Sequence, residues 1–327
     1  MAKDYHSRRA SESEGLRGVD QLRVDIPSVL RHVRSLRDHF AGNMPEVTNR
    51  RTKDHLITGT AEIIGSNRLR VGTREFETKS IVIATGARPI VPDLWKHFDD
   101  RILTSGNIFE QEDLPKRIAV IGLGPIGLEF GQSLSRLGIE IIGFDMKDSI
   151  ATITDPDINA ESLQILRKEF PIHLGARGEL EDRDSGLLMK QDDLDITVYA
   201  AVVAVGIKPN LQGLSIENLG VPLDKYGMPS FDAHTMQIDD LPIFDAKYTE
   251  ILGAELICPG GEHLAHQLAL AIQQNLNIFD MLQMPFYHPT IEKGLCTAIQ
   301  HAAKQVSEKH KPLALSLCGN CPESPLC

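Results

Sequence analysis

Cysteine is nearly absent from most of this chain. The 327 residues include only five, Cys258, Cys296, Cys318, Cys321 and Cys327, and none precedes Cys258. An odd number of thiols without a secretory leader argues against a disulfide framework. Positive charge is also short: 34 Lys and Arg against 45 Asp and Glu leave a formal net charge of −11. That balance argues against nucleic acid or an anionic membrane surface as the main partner. No apolar run reaches the ~20 residues of a membrane-spanning helix; the longest are strand-sized, such as "SIVIATGA" and "AAVVAVGI". The start, "MAKDYHSRRASESEGLRG", has no apolar core of a signal peptide, so a cytoplasmic location is the expectation. Internal repeats are missing too.

What is present is ordinary for a globular protein of roughly two domains, with 42% hydrophobic and 24% charged residues. Residues 1–20 read as a charged lead-in without regular structure. From Asp25 to about Gly42, Val29, Leu30, Val33, Leu36 and Phe40 recur with a helical period, and Arg31, Arg34 and Arg37 fall on the solvated face. Between Leu56 and Arg88 the pattern turns strand-like, in "HLITGTAEII", "RLRVG" and "SIVIATGARP". The last reads as a buried parallel strand ending at Thr85 and Gly86, where such strands meet ligands.

The clearest unit begins at "RIAVIGLGPIGLEF", residues 117–130. A strand over Arg117–Ile121, a helix over about Pro125–Leu137 and a strand over Glu140–Asp145 form one βαβ unit. Gly122, Gly124 and Gly127 satisfy G-x-G-x-x-G at the turn. The first permits the tight bend, the second admits a diphosphate to the backbone, and the third allows close packing of helix on strand. Pro125 suits the first helical turn, and Ile126 follows it with N–H groups facing the phosphates. Asp145 stands where a carboxylate accepts from a ribose 2′-hydroxyl and repels a 2′-phosphate, which favours NAD over NADP. Lys147 nearby weakens that preference slightly.

Further along, a helix is expected over Asn159–Phe170, a buried strand in "LDITVYAAVVAVGIKPN" ending at Gly206, and a strand start at "LPIF". "EILGAELI" reads as a strand, and "EHLAHQLALAIQQNL" and "HPTIEKGLCTAIQHAAKQV" read as helices. His263 and His266, three apart, read as packed or solvated side chains rather than as metal ligands. No metal site is expected. "CGNCPESPLC" holds Cys318-x2-Cys321, a spacing that suits a redox pair or half a zinc site; incidental cysteines in a tail are the simpler reading.

The ordered set "DLPKRIAVIGLGPIGLEFGQSLSRLG", "SIVIATGARP", "AAVVAVGIKPN" and "HPTIE" resembles the pyridine nucleotide–disulfide oxidoreductases, most closely those of the dihydrolipoyl dehydrogenase type. The resemblance implies an α/β fold in which a Rossmann-like NAD domain is inserted in an FAD domain and followed by an interface domain that forms a homodimer. On that basis residues 1–110 correspond to a partial FAD-type domain, 111–240 to the NAD domain, 241–310 to a partial interface domain and 311–327 to a cysteine-containing tail. It implies FAD and NAD as cofactors, a dithiol such as a lipoyl group as electron donor, and Glu129 near the nicotinamide. It also makes His288 the base toward the dithiol.

Four departures accompany the resemblance. The first FAD fingerprint and the C-x4-C redox pair are not found ahead of residue 117, and a Gly-Asp flavin motif is not found after "LPIF". Where the family places a carboxylate five residues after the histidine, this chain has Lys293. Glu292 is the neighbouring acid, turned by about 100° on a helix. The alternative to a complete oxidoreductase is an NAD-binding, dimerising relative without its redox centre.

Overall fold

The computed structural model describes residues 2–11, 21–42, 44–52, 55–184, 186–231, 243–245 and 261–273, with a few isolated positions between and beyond them. The chain divides into two units, residues 1–249 and 250–327.

In chain order the first unit contains helices α1 (Ala2–Ala10), α2 (Ile26–Gly42) and α3 (Met44–Thr52), then strands β1 (Ala61–Gly65), β2 (Arg68–Val71), β3 (Arg74–Glu77), β4 (Ile81–Ile83), β5 (Ala87–Pro89), β6 (Ile102–Leu103) and β7 (Arg117–Ile121). Helix α4 (Pro125–Arg136) leads to β8 (Glu140–Phe144), and α5 (Pro156–Leu166) leads to β9 (Ile172–His173). Strands β10 (Glu179–Arg183), β11 (Gly186–Gln191), β12 (Leu194–Val198), β13 (Ala200–Val203), β14 (Ile207–Pro209) and β15 (Ile243–Asp245) follow. In the second unit the described helix is α6 (Gly261–Gln273).

The centre of the first unit is a parallel sheet in the order β6-β13-β7-β8-β9. It is buried on both faces, and the alternation of side chains decides which face each residue serves. Ile118 and Val120 of β7 point into one cluster with Leu134 of α4 and Leu163 of α5. Ala119 and Ile121 point the other way, into a cluster with Phe144, Leu187, Met189 and Val198. The antiparallel meander β10-β11-β12 covers that second face. Each fully buried aliphatic side chain of this kind contributes about 1.5–3 kcal/mol. Two-sided burial is why β7, β8 and β13 read as continuous apolar runs.

Smaller pieces flank the sheet. β1, β2 and β3 make an antiparallel meander, β4 pairs in parallel with β15, and β5 pairs antiparallel with β14.

Four expectations change. The lead-in contains helix α1, which lies against α4; its sequence, AKDYHSRRA, has no apolar stripe, so periodicity could not reveal it. The helix expected from Asn159 starts at Pro156, because the Asp155 carboxylate caps it by accepting the N–H groups of Asp157 and Ile158 at 2.9 and 3.0 Å. "LDITVYAAVVAVGIKP" is three strands rather than one. The chain changes sheets at Tyr199, whose N–H donates to the Arg117 carbonyl at 3.0 Å, and bends again at Gly206, where φ is +128°. Finally, β4 is only partly buried: Ile81 is buried while Val82 is 65% exposed. Among the described residues it has one neighbour, β15.

No helix among the described residues is long and apolar enough to cross a membrane.

Candidate functional site

β7 delivers the chain to Gly122 at the C-terminal edge of the parallel sheet, where ligands meet folds of this architecture. Gly122 has φ +91°, and its N–H donates to the Phe144 carbonyl at 2.8 Å, binding the turn to the end of β8. A Cβ on Gly122 would sit 2.6 Å from the Ala204 carbonyl oxygen. A Cβ on Gly127 would sit 1.8 Å from the Gly122 carbonyl oxygen, so α4 approaches the turn more closely than any side chain allows.

Gly124 differs from both. Its φ and ψ are −65° and −179°, open to any residue, and an added Cβ would meet nothing within 4 Å. Neither strain nor the protein's own packing calls for glycine there. Free space beside bare backbone is what an approaching diphosphate needs. Gly124 is also the N-cap of α4, Pro125 occupies the first turn, and no side chain caps the helix. The first N–H groups and the positive end of the helix dipole are therefore available to an anion. Pro125 and Ile126 are exposed on this edge, Gly127 is buried, and Glu129 is exposed one turn on.

Asp145 directly follows β8. Its Oδ2 accepts the N–H of Leu123 at 2.6 Å and its Oδ1 accepts the N–H of Lys147 at 2.9 Å. A carboxylate has about four acceptor positions, so two contacts to backbone leave capacity for a ribose hydroxyl. The structure thus brings Gly122, Gly124, Pro125, Ile126, Gly127 and Asp145 into one turn. Met146 beside them is 68% exposed.

Two side-chain systems hold this edge. At the far end of α4, Arg136 donates to both carboxylate oxygens of Glu169 at 2.7 Å, and Gln132 donates to the same group at 2.8 Å. Burial pushes the Glu169 carboxyl up, but the hydrogen bonds from Arg136 and Gln132 outweigh it and hold the group below its ordinary value. Beside β8, the imidazole of His173 stacks on Phe144 with ring centroids 5.3 Å apart. Burial, with Arg167 nearby, lowers its pKa below the ordinary imidazole value.

Thr85, Gly86 and Gly206 lie at a second locus. The N–H of Asn210 donates to the Gly86 carbonyl at 2.9 Å, its side-chain amide donates to the Thr85 carbonyl at 3.2 Å, and the N–H of Ile90 donates to the Gly206 carbonyl at 2.9 Å. Asn210 was not singled out from the sequence, although it stands where "GIKPN" leaves β14. The two loci meet through β13: Ala204, two residues before Gly206, donates its N–H to Ile121 at 2.8 Å and lies against Gly122.

His288, Glu292 and Lys293 lie outside the described residues, as do all five cysteines. His263 and His266 on α6 are exposed, and no metal-binding group of three or more His, Cys, Asp or Glu side chains occurs among the described residues.

Comparison with known proteins gives this geometry a family. The pyridine nucleotide-disulphide oxidoreductase family matches residues 4–244, and the dimerisation domain of the same family matches residues 242–299. The chain belongs to the pyridine nucleotide-disulphide oxidoreductases. It is 33% identical over 177 residues to glutathione reductase from Nostoc sp., covering 51% of this chain and 37% of that protein. It is 28% identical over 305 residues to dihydrolipoyl dehydrogenase from Chlamydia pneumoniae, covering 88% of this chain and 63% of that one. The chain thus spans less than two thirds of the length of either relative. Among solved structures, LpdA from Mycobacterium tuberculosis shares the fold with a TM-score of 0.70 at 17% identity, covering 92% of this chain and 88% of that one.

Proposed function

We propose that this chain binds NAD at the Gly122–Gly127 turn and belongs to an oxidoreductase of the dihydrolipoyl dehydrogenase type, acting as a homodimer with a dithiol as electron donor. The observation that carries the proposal is the contrast among the three glycines. Gly122 and Gly127 are fixed by backbone geometry and by close approach, whereas Gly124 faces open space at an uncapped helix N-terminus. In this reading the backbone around Gly124 holds the diphosphate and Asp145 accepts from the adenosine ribose. Ile126 and Glu129 border the nicotinamide half. When bound, the pyridine nucleotide supplies a hydride-accepting ring; the residues named here only bind and orient it.

The flavin is a different matter. Thr85, Gly86 and Gly206 are proposed as further cofactor contacts, and the carbonyls of all three accept hydrogen bonds from Asn210 and Ile90. The sequence also holds only one G-x-G-x-x-G turn, at residues 122–127. The described residues therefore hold no second glycine turn of the kind that receives a dinucleotide diphosphate. His288 is proposed as the base that takes a thiol proton from the dithiol, with Glu292 as the nearby acid. The division into residues 1–110, 111–240, 241–310 and 311–327 remains part of the same proposal.

A second reading, an NAD-binding and dimerising protein without its own redox centre, is favoured by one observation: no cysteine precedes Cys258. The visible absorption spectrum of the purified chain, before and after FAD addition and desalting, separates the two. A retained flavin band supports the oxidoreductase; a colourless protein that still binds NADH supports the second reading.

A further inference from the structure

The antiparallel pair β5–β14 sets Lys208 directly opposite Arg88. Like charges in direct register across strands repel, and both residues are half-buried, where water screens them less than at the surface. Neither forms an ion pair or side-chain hydrogen bond to another described residue. Asp93, the acid that feels Lys208, is already paired with Lys96 at 2.5 Å. In a chain with a formal net charge of −11, leaving such a pair without an acid is conspicuous.

Both cations line one cleft of about 320 Å³, together with Leu223, Lys225, Tyr226 and Gly227 of the following turn. A third cation, Lys225, comes from that turn, its ammonium held 4.9 Å from the ring centroid of Tyr226. The Asp224 carboxylate beside it is turned to the backbone, accepting the N–H groups of Tyr226 and Met228 at 2.8 and 2.9 Å. Glu217 is the one carboxylate in the lining, and Gln212 adds an amide. The volume lies at the low end of small-molecule pockets, about 300–1,000 Å³. None of Thr85, Gly86, Gly122, Gly124, Gly127 or Asp145 lines it.

We propose that this cleft is a second ligand site, specific for a small multivalent anion of the phosphate class. A guanidinium offers two parallel donors and each ammonium a point charge, which together match the several acceptor oxygens of a phosphate or diphosphate group. The bound anion neutralises the Arg88–Lys208 repulsion, so binding also steadies the β5–β14 pairing beside Gly86 and Gly206. This inference stands apart from the nucleotide reading, because it uses none of the residues of the Gly122–Gly127 turn.

The test is a calorimetric titration of inorganic pyrophosphate into the full chain, repeated with the R88Q/K208Q, K225Q and E217Q variants. Saturable binding to the unaltered chain is expected, weakened about tenfold or more by R88Q/K208Q through loss of charge-assisted hydrogen bonds. K225Q should weaken it by a smaller factor, and E217Q, which removes the one repelling carboxylate, should tighten it. Without anion, R88Q/K208Q should melt no lower than the unaltered protein, since it removes a repulsion. If that variant does not fold, the opposite signs of K225Q and E217Q decide. Absence of binding at millimolar pyrophosphate overturns the proposal. So does binding that R88Q/K208Q leaves unchanged, which would place the anion at the N-terminus of α4 instead.

Discussion

The carboxylate of Asp145 accepts the backbone N–H of Leu123 at 2.6 Å, fastening the end of β8 to the middle of the glycine turn. The residue proposed to hold a ribose therefore also shapes the loop proposed to hold the diphosphate. Asp145→Ala should weaken NADH binding about tenfold or more, since removing a charged acceptor costs roughly 1.5–3 kcal/mol. It should also narrow the preference against NADPH. Fluorescence titration with both nucleotides measures this, and unchanged NADH affinity would rule out the ribose role.

The glycines of the turn should separate by mechanism. Gly124→Ala places a methyl in open space, so the melting temperature should hold while nucleotide affinity falls. Gly127→Ala drives a methyl to 1.8 Å from the Gly122 carbonyl oxygen, so both stability and affinity should fall. If thermal melting and NADH titration show the two variants behaving alike, the division of roles is wrong.

Acid should destabilise the protein, and two partly buried groups contribute to this at different pH. His173 has a folded pKa below its ordinary value of 6.5. Its stabilisation is complete above that value and is lost as pH falls through it, because the unfolded chain gains the proton first. His173→Phe keeps an aromatic ring against Phe144 and should flatten the stability profile as pH falls below about 6.5. Urea unfolding across that range provides the check.

Glu169 titrates lower. Its folded pKa lies below the ordinary 4.5, so its contribution is present above that value and disappears as pH falls through the folded pKa. At neutral pH, Glu169→Gln should cost about 1–3 kcal/mol through the weakened hold on Arg136. The same substitution should shrink the loss of stability at acid pH in denaturant titrations. A variant with unchanged stability at pH 7 would show that the Arg136 contact is merely superficial.

Asn210→Ala tests the second locus. It removes the side-chain bond to the Thr85 carbonyl while keeping the backbone bond to Gly86. A loss of about 1 kcal/mol is expected from one neutral hydrogen bond, with NADH affinity unchanged. A fall in NADH affinity would show that the two loci are coupled through β13.

The βαβ unit was legible because its signals are local. Ile118 to Ile121 form an unbroken apolar run, Gly122 and Gly127 mark the turn, and the helical period of α4 needs no distant partner. Asp145 could be placed by counting from the turn, because strand length sets the spacing. The sequence alone could not show which way each β7 side chain points, nor that β10–β12 cover one face of the sheet. Those depend on long-range pairing, which local pattern does not encode. Nor could it reveal that Tyr199 ends one strand and starts another, since a run buried in two sheets looks like one long strand. The Arg88–Lys208 pair was invisible for the same reason: 120 residues apart in sequence, they become neighbours only because β5 and β14 align in register. Composition and local periodicity determined the glycine turn and the strand–helix–strand unit around it. Tertiary pairing decided what surrounds that turn, because only the folded sheet brings separate segments within hydrogen-bonding and Coulombic reach.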